Sequence, residues 1–185
     1  MVNAVFSSLA VLALASFAGA APAAAETDAV EVFSFAKWVD GIISNPDGDN
    51  LSPEQAVEAW QASISETSPA VSERDVLQKR YFCNTIPGSE AYIPDAVSCI
   101  NELARRGGQA CSTGGATAFC VIGRAQITGV KGGTASSVSS SCNDVARGAG
   151  YVMDHCSRAD NMVQGAEYAY GNGNLLVWIR KPGSV

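Results

Sequence analysis

The sequence holds a single histidine, His155, no cysteine pair at CxxC spacing and no Gly-x-Ser-x-Gly elbow. The missing elbow leaves a serine hydrolase without its exposed nucleophile. The missing cysteine pairs and second histidine leave structural zinc without its ligand spacing, and no cofactor motif stands in for them. Past the first twenty residues no run reaches the ~18 apolar positions of a membrane span. Basic residues are too few and too scattered for a nucleic-acid surface, which needs dense positive charge to release counterions.

What is present divides the chain in three. Residues 4–18 are Ala, Val, Leu and Phe broken only by Ser, and Ala18-Gly19-Ala20 has the small-x-small form of a signal-peptidase site. Residues 1–20 therefore read as a secretion leader. Residues 26–80 carry eleven acids and four bases, whereas residues 81–185 carry seven acids and eight bases. The net charge of −6 thus belongs to an acidic N-terminal part joined to a nearly neutral C-terminal one. Lys79-Arg80 lies at the junction, and all six cysteines follow it: Cys83, Cys99, Cys111, Cys120, Cys142 and Cys156. A dibasic pair at such a boundary reads as the cutting site of a kexin-type protease. The expected pieces are a leader (1–20), an acidic pro-segment (21–80) and a mature, extracellular, monomeric domain (81–185). Six cysteines in so short an exported chain read as three disulfides.

The pro-segment has two amphipathic stretches. Phe35, Trp38, Val39 and Ile42 recur at helical spacing, as do Ala56, Val57, Trp60 and Ile64. Ser52-Pro53-Glu54-Gln55 has the form of a capping box with Pro at the first helical position, and Asn45-Pro46-Asp47-Gly48 forms the turn between the helices. Ser63 to Gln78 is polar and reads as an exposed linker. Two roles stand open: a disposable spacer that aids export, which the sequence favours, or a chaperone or inhibitor that docks its tryptophans on the mature domain.

In the mature part Tyr81–Thr85 reads as a first strand. A helix opens at Pro94, with Val97, Ile100, Leu103 and Ala104 on its apolar face, and stops at Gly107-Gly108. Thr117–Val130 reads as strand, with Phe119, Val121 and Ile127 on one face and Cys120 and Ile122 on the other. Gly132–Ser141 reads as a polar loop. Ser141 caps a second helix whose buried stripe is Val145, Ala149, Val152 and Cys156. Val163–Tyr170 and Asn174–Arg180 form the last strands, turning at Gly171-Asn172-Gly173. The fold class is α+β: a disulfide-bonded two-layer sandwich, two helices on an antiparallel sheet of four to five strands. A helix lying on a sheet favours Cys99 with Cys120; of the other pairings the layering selects none, and Cys83 or Cys111 is set against the second helix only as a guess.

Catalytic candidates are sparse. His155 lies between Asp154 and Cys156, but adjacent helical residues point to different faces, so a favourable charge at a helix end is the simpler role. Glu90, Asp95, Glu102, Asp144, Asp154, Asp160 and Glu167 offer carboxylates without a motif that selects a pair. Tyr168, Tyr170 and Trp178 are read as a cross-strand aromatic cluster, with core packing the expected role and a recognition face the alternative.

Leader, acidic pro-segment, dibasic site and six-cysteine domain together resemble the fungal secreted cysteine-rich proteins. The chain is most similar there to the smut killer-toxin-like family and the Ecp-type necrosis effectors. The resemblance rests on Cys99 in the first helix, Phe119-Cys120-Val121, Val152-Met153-Asp154-His155-Cys156 and Gly173-Asn174-Leu175-Leu176-Val177. It lacks the His-Gly-Cys and paired-cysteine features of the killer toxins. It implies a non-enzymatic virulence effector or toxin that binds an extracellular or host protein, a membrane channel among the candidates, with Lys131 in the glycine-rich loop the candidate for the exposed basic contact such toxins use. A small secreted hydrolase, such as a ribonuclease or glycosidase held latent by its pro-segment, is the alternative.

Overall fold

The structure, a computed structural model, describes residues 32–66 and 81–184. The leader and Lys79-Arg80 lie outside the described residues. The core of the domain is a five-stranded antiparallel sheet in the order β1 (Phe82–Cys83), β8 (Gly165–Ala169), β9 (Asn172–Arg180), β5 (Ala125–Lys131), β4 (Ala116–Ile122). Two helices, α3 (Ile93–Arg105) and α4 (Cys142–Cys156), cover one face. The expected α+β sandwich is the fold observed.

Local chemistry sets the helix limits. Pro94 sits in the first turn of α3, where a missing N–H costs nothing. Past the end of α3 the chain turns at Gly107, whose φ of 63° is left-handed. Ser141 caps α4 by accepting the Asp144 N–H at 3.1 Å. The expected stripes, Val97, Ile100, Leu103 and Ala104 on α3 and Val145, Ala149, Val152 and Cys156 on α4, are all buried. They meet Ile127, Leu175, Val177 and Ile179 from the sheet in one cluster.

All six cysteines are bridged, and each bridge joins a helix to a strand. Cys99 of α3 binds Cys120 of β4, as expected from the layering. Cys83 of β1 binds Cys156 at the end of α4, and Cys111 of β3 (Ala110–Thr113) binds Cys142 at its start. Both ends of the second helix are therefore held covalently.

Several expectations are corrected. Thr117–Val130, expected as one strand, is two, β4 and β5, which turn at Gly123, whose φ is 49°. The first strand is only Phe82–Cys83, because Asn84 turns to a positive φ of 53°. Phe119 and Val121 do not share a face. A bulge between Ala118 and Cys120 turns Phe119 inward, while Val121 is 53% exposed. Gly129 makes room for the Phe119 ring, since a Cβ there would lie 2.2 Å from it. The loop expected at Gly132–Ser141 ends in a strand, β6 (Val138–Ser141), paired with β3 in a separate two-stranded sheet. A second small sheet joins β2 (Ala91–Tyr92) to β7 (Met162–Val163).

The pro-segment contributes α1 (Phe35–Ser44) and α2 (Pro53–Glu66). Ser52 and Gln55 form the reciprocal capping box, at 3.3 and 2.9 Å. The Asn45–Gly48 turn closes with Gly48 N–H on the Asn45 carbonyl. Helix α2 runs on to Glu66, so the expected linker begins later than Ser63, which is itself buried. Among the described residues no helix is long and apolar enough to cross a membrane.

Candidate functional site

Two surfaces of the domain stand out: the helical face, which α1 and α2 cover, and the outer face of the sheet. The first N–H groups of any helix lack partners within it, and its N-terminus attracts negative charge. For α1 the Asp154 carboxylate meets both needs from a distant part of the chain. It accepts Phe35 N–H at 2.6 Å, Ala36 N–H at 3.2 Å and the Ser34 hydroxyl at 2.7 Å. Desolvation by burial raises the Asp154 pKa, outweighing these three donors, which pull it down. The residue as a whole still has solvent access, so the crowding is local to the carboxylate.

Four residues back along α4, Gly150 meets the same first turn of α1. A Cβ on Gly150 would stand 3.0 Å from the Cα of Ala36 and 3.2 Å from its nitrogen. Beyond it, Arg147 donates to Asp40 at 2.7 Å and to Asp144 at 3.1 Å. Arg105 donates to the Pro46 carbonyl at 2.9 Å and Gln61 to Asn161 at 2.8 Å. Phe35, Val39 and Ile42 are fully buried and belong to the same apolar cluster as α3 and α4. Trp38 donates its indole N–H to the Leu51 carbonyl, and Trp60 packs on Phe35 with ring centroids 6.1 Å apart. Residues 32–66 thus form a docked layer, fixed at α4 by directional contacts.

The outer face of the sheet is largely apolar. Register places Phe82, Ala166, Trp178, Thr128 and Ala118 in one row across all five strands. Tyr168, Leu176, Val130 and Ala116 form the next row. Phe82, Tyr168 and Val121 are exposed and Trp178 half-buried. Of the expected cross-strand cluster the structure brings Tyr168 and Trp178 together here, on the solvent side rather than in the core. Tyr170 stands apart in the β8–β9 turn, where its ring lies 5.4 Å below the Arg147 guanidinium. Lys131 ends β5, its ammonium donating to the Gly133 carbonyl at 3.3 Å. Phe82 and Arg180 escaped the sequence reading. The alternation Leu175, Val177, Ile179 inward against Leu176, Trp178, Arg180 outward was the signal that could have found the second.

The remaining candidates have structural partners. His155 stacks on Tyr81 at 4.2 Å, with Nδ1 2.7 Å from the Tyr151 carbonyl, so the proton on that nitrogen donates to the backbone. Asp154 is turned to α1 and Cys156 is bonded to Cys83, so neither neighbour orients the imidazole as a base. Glu102 pairs with Arg106, and Glu90 and Asp160 both meet Arg158. Asp95 accepts the Arg124 N–H at 2.7 Å.

No curated protein and no solved structure matches the chain. The model of a domain of unknown function, DUF8794, matches residues 78–181, which span the whole sheet, α3, α4 and the three disulfides but neither α1 nor α2. The chain belongs to the DUF8794 family.

Proposed function

We propose that this chain is the precursor of a secreted binding protein, a virulence effector or killer-toxin-like cytotoxin. It is cut after Arg80 by a kexin-type protease, and residues 32–66 serve as its cover. One observation carries this reading: a separate helical layer, outside the family domain, is docked on α4 by Asp154 and Arg147, and the segment leading from it holds Lys79-Arg80. Three helix-to-strand disulfides suit a domain that must keep its shape outside the cell once that layer is gone. The surface that cutting would change is the α3–α4 face. The target that fits is an extracellular or host protein, a membrane channel among the candidates.

The test compares exported wild-type chain with Lys79→Ala/Arg80→Ala. Wild type should leave the cell beginning at Tyr81, by intact mass, and should kill or stain target tissue. The double variant should be exported uncut and be at least tenfold weaker in that assay. Equal potency of the uncut form would refute the covering role. A hydrolytic activity of the exported domain abolished by His155→Ala would put the hydrolase in its place.

A further inference from the structure

Two buried polar groups remain unexplained, and they are neighbours. Register pairs Gly165 with Ile179, which sets Gln164 opposite Arg180 one step further on. Gln164 has no exposed surface and Arg180 only 6%. Gln164 accepts the Ile86 N–H on Oε1 at 3.5 Å, and among the described residues its Nε2 finds no acceptor. Arg180 Nε is likewise buried and without a partner among the described residues. The segment between them and solvent is fixed at both strands. Asn84 N–H donates to the Gln164 carbonyl, and Lys181 N–H donates to the Ser89 carbonyl.

Arg180 also lacks a counter-charge. Its guanidinium stands 5.8 Å from the Trp178 ring, and among the described residues no carboxylate pairs with it. Glu90, the acid of the covering segment, turns to Arg158 at 3.6 Å. Burial lowers the Arg180 pKa, with no charged neighbour acting against it. An arginine cannot shed its proton to escape this. A water could satisfy these two nitrogens but not the charge. The contact with Trp178 offsets only part of the desolvation.

We propose that Arg180 and Gln164 form a binding site for an oxyanion, a carboxylate or phosphate group. The guanidinium supplies the charge and a planar fork, and the Gln164 amide adds a third direction of donation. The next row of the same face carries Phe82 and Trp178, which form an apolar wall for the body bearing that group. The site lies on the sheet, away from α1 and α2, and does not depend on processing.

The test uses the full chain, titrated with acetate or phosphate against chloride at equal ionic strength, with the arginine Nε–Hε resonances followed by NMR. The Arg180 resonance should shift saturably with one of the two oxyanions, and which one identifies the group. The unfolding midpoint should rise with that oxyanion beyond the chloride control. Arg180→Met should start at an equal or higher midpoint and lose this rise. Gln164→Leu should weaken binding by roughly tenfold, the loss of one charge-assisted hydrogen bond. No saturable shift with either oxyanion, the same shift with chloride, or equal responses of wild type and Arg180→Met would each overturn the proposal. If Arg180→Met does not fold, the wild-type titration still decides.

Discussion

Gly150→Leu tests whether the helical layer is truly docked, because it should act with opposite signs on the two parts. Within α4 the change replaces a poor helix former with a good one, a gain of about 0.8 kcal/mol. Toward α1 it meets backbone: the first carbon of the new side chain would already stand 3.0 Å from the Ala36 Cα and 3.4 Å from the Phe35 carbonyl carbon. Backbone cannot rotate away, so three further carbons push α1 off the surface. Overpacking of this kind costs about 2–3 kcal/mol, roughly 30- to 150-fold in the hold on the segment. The assay cuts the folded chain at Lys79-Arg80 and follows loss of the N-terminal fragment by size exclusion and mass. The variant should lose the fragment far faster than wild type, while its stripped domain unfolds at an equal or higher temperature. Ala36→Gly should not rescue it, since the obstructing atoms are main chain. A variant that holds the fragment as tightly as wild type, or whose stripped domain is weakened as much as the joined chain, would refute the reasoning.

Other outcomes follow from the same geometry. Replacing Cys99 and Cys120 by Ala opens a bridge of sequence separation 21 and should cost about 3 kcal/mol; opening Cys83–Cys156, separation 73, should cost about 4, both read by denaturant midpoint. Asp154 has a raised pKa when docked, so it favours docking most below the ordinary carboxylate value of 3.8, and that contribution is lost as pH rises through its raised value. Fragment retention should therefore weaken as the pH rises above 3.8, and Asp154→Asn should flatten the dependence. Gly148→Ala places a Cβ 2.8 Å from the Tyr168 carbonyl, so it should destabilise the stripped domain and the joined chain alike, by about 1–3 kcal/mol in thermal unfolding.

The helices were legible because their signals are local. The Ser52 capping box, Pro94 and the Ser141 cap each act within one turn, and the apolar stripes repeat over two to three turns. Cys99–Cys120 was legible from layering alone. What escaped depends on contacts distant in sequence. Nothing near Cys111 marks residues 110–113 as a strand, because their partner is the polar run 138–141, where Ser139 and Ser112 share a hydroxyl hydrogen bond. The bulge at Phe119 inverted one face of β4, and the inward ring is accommodated by a glycine ten residues later, Gly129. The aromatic residues 168, 170 and 178 were visible as a group, but period-two alternation could not say which face the helices would cover. The role of Asp154 was invisible: the sequence showed only a carboxylate badly placed to orient its neighbour His155, whereas its partners are 118 to 120 residues away.

The two glycines of α4 show how the layers are related. Each glycine in a helix interior costs about 1 kcal/mol relative to alanine, and α4 carries two, at 148 and 150, two residues apart and therefore on different faces. Gly148 lies against the main chain of β8 and Gly150 against the main chain of α1. The first glycine allows the helix to settle on its own sheet, within the family domain. The second has no such use inside residues 78–181, since the atoms nearest its missing side chain belong to Phe35 and Ala36. A helix that only needed to pack on the sheet could carry alanine at 150 and be more stable. The small residue there makes sense as one half of a helix–helix contact whose other half is Ala36, with Asp154 capping the incoming helix one turn further along. The covering segment and the domain are thus fitted to each other through α4, and Gly150 is the residue at which that fit costs the domain stability of its own.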